Sequence, residues 1–177
     1  MRPVYGPFAA QRLFGPAFTP GMLAKSHLPI ALDHTPMSKN YYSEINLHLT
    51  WHTKESAPLL TTDVETFVHR WLEKRIIDEP GAYVYEIGGT ETHVHIALTV
   101  PPTLGIAEFI GRLKGASSHD ANQHFYQHGK VLAWQSGYGV VSFGTANVDW
   151  VRAYIRNQRA HHRDGAIQER LERIGEE

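Results

Sequence analysis

The chain has no cysteine. Disulfides and thiolate metal sites are therefore excluded, and a reducing compartment is permitted. It has no apolar run near the roughly 18 residues that a membrane span needs, so no membrane partner is expected and the expected location is cytoplasmic. It has little net charge, formally -1, with 17 Lys and Arg against 18 Asp and Glu. Nucleic-acid-binding domains are usually basic, so bulk charge alone does not point to one. Residues 1–36 lack any sustained period of 2 or 3.6, and six of the ten prolines lie there: Pro3, Pro7, Pro16, Pro20, Pro29 and Pro36. That stretch reads as a disordered or loosely attached extension. It also lacks a continuous apolar core flanked by basic residues, so no secretory signal is expected. Met37 is an alternative start.

What is present is enough for one domain. The 177 residues are 42% hydrophobic, an ordinary share for a packed core. From Tyr41 the periodicity sharpens. Ile45, Leu47, Leu49 and Trp51 alternate with Asn46, His48, Thr50 and His52, which predicts a strand with one apolar and one polar face. Thr61 to about Asp78 predicts a helix with Val64, Phe67, Val68, Trp71, Leu72 and Ile76 on its core stripe, ended by Pro80-Gly81. A hairpin comes next, Tyr83 to Ile87 and Thr92 to Val100, with Gly88-Gly89 at the turn. A helix over Gly105–Phe125, a strand-like stretch over Val131–Phe143, and a helix from Val148 to about Arg163, capped by Asn147, complete the order. Strand, helix, hairpin, helix, strand, helix predicts an α+β fold. The simplest fit is a ferredoxin-like antiparallel sheet with helices packed on one face.

Histidine is the compositional outlier, with twelve copies. On the strand Thr92–Val100, His93, His95, Ala97 and Thr99 share one face. Alternate residues lie about 7 Å apart, so two imidazoles there can converge on one metal ion. Chance alone yields about 0.8 His-x-His patterns in such a chain, so the motif is weak by itself. On the last helix Tyr154 and Gln158 are four apart and share a face. A tyrosine oxygen is a nucleophile, and an amide oxygen can join a metal site. Two histidines and an amide oxygen suit a hard, labile ion, Mg2+ or Mn2+. Arg152, Arg156, Arg159 and Arg163 form a stripe pointing away from Tyr154, and Arg112 and Lys114 form a second small basic cluster expected at the surface. Arg112, Lys114, Arg152, Arg156 and Arg159 are the candidate DNA-backbone contacts. Tyr42, Trp134, Tyr138 and Phe143 fit base stacking or, more commonly, core packing.

Together these residues resemble the single-tyrosine HUH transposases, the group of small insertion-sequence transposases and REP-associated tyrosine transposases. His93-Val94-His95 matches the paired histidines, Tyr154-Ile-Arg-Asn-Gln158 with His161-His162 the nucleophile helix, and Trp134-Gln135-Ser136-Gly137-Tyr138-Gly139 the segment before it. Arg112-Leu-Lys-Gly115 is similar to the second-helix region, and Thr92 stands where relatives often carry an acidic residue. The resemblance spans about residues 41–165. It places a transposase domain at 37–165 and a charged helical tail at 166–177.

The resemblance implies metal-dependent cleavage and rejoining of single-stranded DNA. Tyr154 would form a covalent 5′-phosphotyrosine, and His93, His95 and Gln158 would hold the metal. Hairpin-forming DNA ends would be the substrate, and a homodimer the working unit. The alternatives are a domesticated nucleic-acid-binding relative, a ferredoxin-like binding module without catalysis, and a plain metal-dependent phosphodiesterase that does not need Tyr154.

Overall fold

A computed structural model describes residues 42–175. The reading of residues 1–36 lies outside the described residues. Four strands form one antiparallel sheet: β1 (Asn46–His52), β2 (Tyr83–Thr90), β3 (His93–Thr99) and β4 (Gly139–Phe143), in the spatial order β2-β3-β1-β4. Helix α1 (Thr62–Ile77) joins β1 to β2, and α2 (Ile106–His124) joins β3 to β4. This is the ferredoxin-like arrangement that the element order predicts. After β4 come α3 (Val148–Arg156), α4 (Gln158–Asp164) and the single turn α5 (Glu169–Glu172).

One face of the sheet holds the main core. Leu47, Leu49 and Trp51 of β1 stand beside Leu98, Ile96 and Val94 of β3 in register. Val64, Val68, Leu72 and Ile76 of α1, with Phe109, Ile110 and Leu113 of α2, cover them. Each such side chain, fully buried, contributes roughly 1.5–3 kcal/mol. Trp71 Nε1 donates to Asp120 Oδ2 at 2.7 Å, which ties α1 to α2. Trp134 and Tyr138 pack against this same core, so packing describes them better than base stacking. Tyr42 stays exposed.

Helices α1 and α2 lie across one face, as the pattern predicts. The pattern did not reveal that the opposite face is covered as well. Val151 and Ile155 of α3 pack on Ala97 of β3, with Tyr85 and Phe143 at the edge. Asn46, His48 and Thr50, on the predicted polar face of β1, and His93 and His95 of β3 are buried as a result.

Three predicted features shift. The hairpin turn falls at Glu91-Thr92, and Gly88-Gly89 lie within β2. Gly88 is there for close approach: a Cβ on it would stand 2.6 Å from the Ile155 carbonyl oxygen and 2.9 Å from Ile155 Cγ2. Glycine thus lets α3 rest directly on β2. The last helix breaks at Asn157, whose φ of -100° and ψ of 16° leave the α region between α3 and α4. Asn157 Nδ2 donates to the Ala153 carbonyl at 2.8 Å, an alternative to continued helix. Asn147, the expected cap, makes no side-chain capping bond.

Gly88→Val is expected to push α3 off the sheet and destabilise the fold by roughly 1–3 kcal/mol. Urea denaturation checks this; a midpoint equal to that of the unsubstituted chain contradicts the close approach.

Candidate metal and tyrosine site

The site lies on the second face of the sheet. Strand β3 supplies His93 and His95, which the alternation puts on the same side. Both imidazoles are held by their Nδ1 atoms. His93 Nδ1 lies 2.9 Å from Thr90 Oγ1 and 3.0 Å from Thr92 Oγ1. His95 Nδ1 lies 2.9 Å from His48 Nε2. A hydrogen-bonded Nδ1 fixes the ring and turns Nε2 toward the site, the arrangement usual for metal-binding histidine.

The Nε2 atoms face one small space. His93 Nε2 is 3.3 Å from Gln158 Oε1 and 3.7 Å from Glu172 Oε2. His95 Nε2 is 3.3 Å from the same Glu172 oxygen. His162 Nε2 approaches it at 3.6 Å. Tyr154 donates its hydroxyl proton to Glu172 Oε1 and accepts from the Gln168 backbone N–H at 3.1 Å. Its ring stacks on Trp150 and His161, with centroids 5.8 and 4.9 Å away. Gln158 Nε2 donates to Glu172 Oε1 at 3.3 Å, leaving its Oε1 toward His93. Tyr154, Gln158, His93 and His95 are thus brought together despite the break at Asn157, and all four are buried.

Burial sets the protonation states. It pushes His93 down to about 3, with His95 nearby adding to the effect. The same two causes push His48 down to about 3. Burial, then the Glu172 hydrogen bond, raises Tyr154. Burial pushes the Glu172 carboxyl up, but hydrogen bonds and charges from His95, Tyr154 and His93 prevail and hold it below the usual carboxylate range. Imidazole nitrogens, an amide oxygen and a carboxylate converging in this way are donors that fit a divalent cation. His93, His162 and Glu172 can bring one donor atom each within 4.8 Å of one another.

The basic residues lie elsewhere. Arg156 Nε is 2.7 Å and Arg152 Nε 3.7 Å from Glu86 Oε2. Arg159 contacts Glu65 at 2.6 Å and Glu91 at 3.4 Å. Arg112 reaches Glu79 and Glu108 at 3.1 and 3.0 Å. None of them reaches Tyr154, as the helix geometry predicts for the stripe. Lys114 departs from its expected surface position. It is buried, and its Nζ donates to the carbonyls of Ser136 and Gly137 at 2.8 and 2.7 Å, bracing the segment that leads into β4.

Sequence reasoning missed His48, Thr90 and Glu172. His48 sits among the alternating polar residues of β1, and only the β1–β3 register brings it to His95. Thr92, noted for lacking an acid, supplies a hydroxyl to His93 instead. Glu172 sits in a run of alternating charge that reads as solvated.

The residues 41–158, more than half of the chain, match the family of IS200-like transposases. The chain belongs to that family. Among solved structures, a provisionally assigned transposase from Deinococcus radiodurans is 26% identical, covering 69% of this chain and 98% of its own, with a TM-score of 0.53. A REP-associated tyrosine transposase bound to a REP hairpin is 18% identical, covering 70% of this chain and 72% of its own, with a TM-score of 0.51. At that identity the second likeness shows the fold. No curated protein matches the chain. No helix among the described residues is long and apolar enough to cross a membrane.

Burial of neutral imidazoles makes stability depend on pH. His69, pushed down to about 4 by burial and then Arg159, adds to His48 and His93. All three fold with pKa values below 6.5, so the unfolded chain binds more protons between that pH and about 3 to 4. Stability is therefore complete above about pH 6.5 and falls below it, by up to about 1.4 kcal/mol per pH unit for each histidine. Urea melts at pH 7.5, 6 and 5 with a chelator present should show the decline; a flat profile contradicts neutral burial.

Proposed function

We propose that this chain cuts and rejoins single-stranded DNA through Tyr154, with His93, His95 and Gln158 holding Mg2+ or Mn2+. One observation carries the reading: a single carboxylate, that of Glu172, touches both the Tyr154 hydroxyl and the Nε2 atoms of His93 and His95. Nucleophile and metal-binding nitrogens thus lie within the span of one oxyanion, and a phosphate is an oxyanion of similar reach.

Tyr154 attacks the scissile phosphorus, an O–P bond forms to the 5′ side, and the bond to the 3′ oxygen breaks, leaving a free 3′ hydroxyl. Reversal with another 3′ hydroxyl rejoins strands. Burial and Glu172 keep Tyr154 protonated at rest, so positive charge is needed where the attack occurs. A bound divalent ion supplies that charge and polarises the phosphate. Trp150 and His161 stack on the ring and hold it in place.

Tyr154 is only 4% exposed. Its hydroxyl is covered by Gln168 and Glu172, from a segment whose helix is one turn long. Hairpin-forming ends are the expected substrate, supported by the REP hairpin bound to the relative of the same fold, and such work belongs in the cytoplasm. The proposed unit is a homodimer. Tyr154, Gln158, His93 and His95 nevertheless meet within one chain, so the cleavage site itself does not call for a second copy.

The test is a denaturing protein gel after incubation with single-stranded hairpin oligonucleotides and Mn2+. A shifted covalent band is expected for the unsubstituted chain and not for Tyr154→Phe. Cleavage that survives Tyr154→Phe would replace this reading with a plain phosphodiesterase, and no adduct with any metal-loaded sample would favour a binding module.

A further inference from the structure

Resting on the reading that His93 and His95 hold a metal, we infer that Glu172 is itself a ligand of that metal. The C-terminal segment brings in a carboxylate, with the His162 imidazole beside it, and so turns a site of two histidines and an amide into a mixed imidazole–carboxylate site.

The distances fit such a shell. Donor atoms about 2.1 Å from one ion stand about 3.0–3.4 Å apart in octahedral or tetrahedral geometry. Glu172 Oε2 stands 3.3, 3.6 and 3.7 Å from the Nε2 atoms of His95, His162 and His93. Each of these separations from the carboxylate lies within a few tenths of an ångström of that range, and His93, His162 and Glu172 each bring a donor atom within 4.8 Å of the other two. The directions agree as well. His93 and His95 turn Nδ1 away to Thr90, Thr92 and His48, which leaves the Nε2 atoms facing a carboxylate oxygen.

Charge points the same way. Glu172 is 13% exposed, and among the described residues its ion-pair partners are histidines alone. No lysine or arginine among those residues compensates it within that distance. The groups around this carboxylate are imidazoles, a hydroxyl and an amide, none with a permanent charge, so a divalent ion is the group that balances it.

The segment that carries Glu172 has a built seat. Leu171 is buried. Arg170 donates to the Ser142 carbonyl at 3.0 Å, and the Gly175 N–H to the Tyr138 carbonyl at 3.2 Å. Gly139 at the start of β4 leaves room for the Arg173 carbonyl, and any side chain there would collide with it. Packing on β4 therefore fixes where the carboxylate stands.

The test counts free Mn2+ by electron paramagnetic resonance while the full chain is titrated with the metal alone. The unsubstituted chain and Glu169→Gln, an exposed neighbour on the same turn, should bind Mn2+ equally. Glu172→Gln should bind at least tenfold more weakly, and His93→Ala more weakly still. Since Glu172→Gln can lower the melting temperature by itself, a second reading is the rise in Tm on adding Mn2+, taken for each variant against its own metal-free value. That rise should shrink in Glu172→Gln. Glu172→Gln equal to the unsubstituted chain in both readings, with His93→Ala impaired, overturns the ligand and leaves the proposed function standing. No Mn2+ binding by the unsubstituted chain overturns both.

Discussion

The proposed chemistry of this chain depends on holding the paired imidazoles of β3 dry on the second face of a four-stranded sheet. A buried polar group without a partner is expensive, and the paired histidines of β3 both have one. Thr90 and Thr92 take His93 Nδ1, and His48 takes His95 Nδ1. His48 is the exception at the end of these contacts, since its own Nδ1 is buried and finds no partner among the described residues. Once the Nδ1 positions are taken, the Nε2 atoms have one direction left. The rest of the site is arranged around that direction.

The helices after β4 place the other groups. Gly88 lets α3 settle on β2, which brings Tyr154 under the sheet face. The break at Asn157 then redirects the helix, so that Gln158 and His162 of α4 come to the same place. The break also divides the arginine stripe: Arg152 and Arg156 turn to Glu86, and Arg159 turns to Glu65 and Glu91. These exposed pairs are worth little stability. They explain how a chain with net charge -1 can carry basic side chains along one helix without a free basic surface there.

Much of the sheet was legible because period 2 and turn residues are local signals. The alternation in β1 and β3, the α1 stripe and the helix ends are all written in them. The turn was misplaced because Gly88-Gly89 serve packing across the sheet, which no local pattern reports. Period 2 also labels one face polar, and polarity was read as exposure. In fact α3 covers that face, so His48 and Thr50 are buried. His93 with His95, and Tyr154 with Gln158, stood out because each pair sits at a spacing that a strand or helix converts into proximity. Glu172 could not be found in this way. Its approach depends on the close packing of the 170–175 segment against β4, a contact between residues some thirty positions apart.

The nucleophile and the metal-binding histidines are held to share a single site, and that claim can be tested without DNA. Mn2+ broadens nuclear resonances steeply with distance, so tyrosines labelled with fluorine report it directly. On adding less than one equivalent of Mn2+, the Tyr154 signal should disappear first, while that of exposed Tyr126, beyond α2 on the other side of the sheet, stays sharp. A Tyr154 signal that stays sharp while Mn2+ is bound would place the metal elsewhere and contradict the shared site.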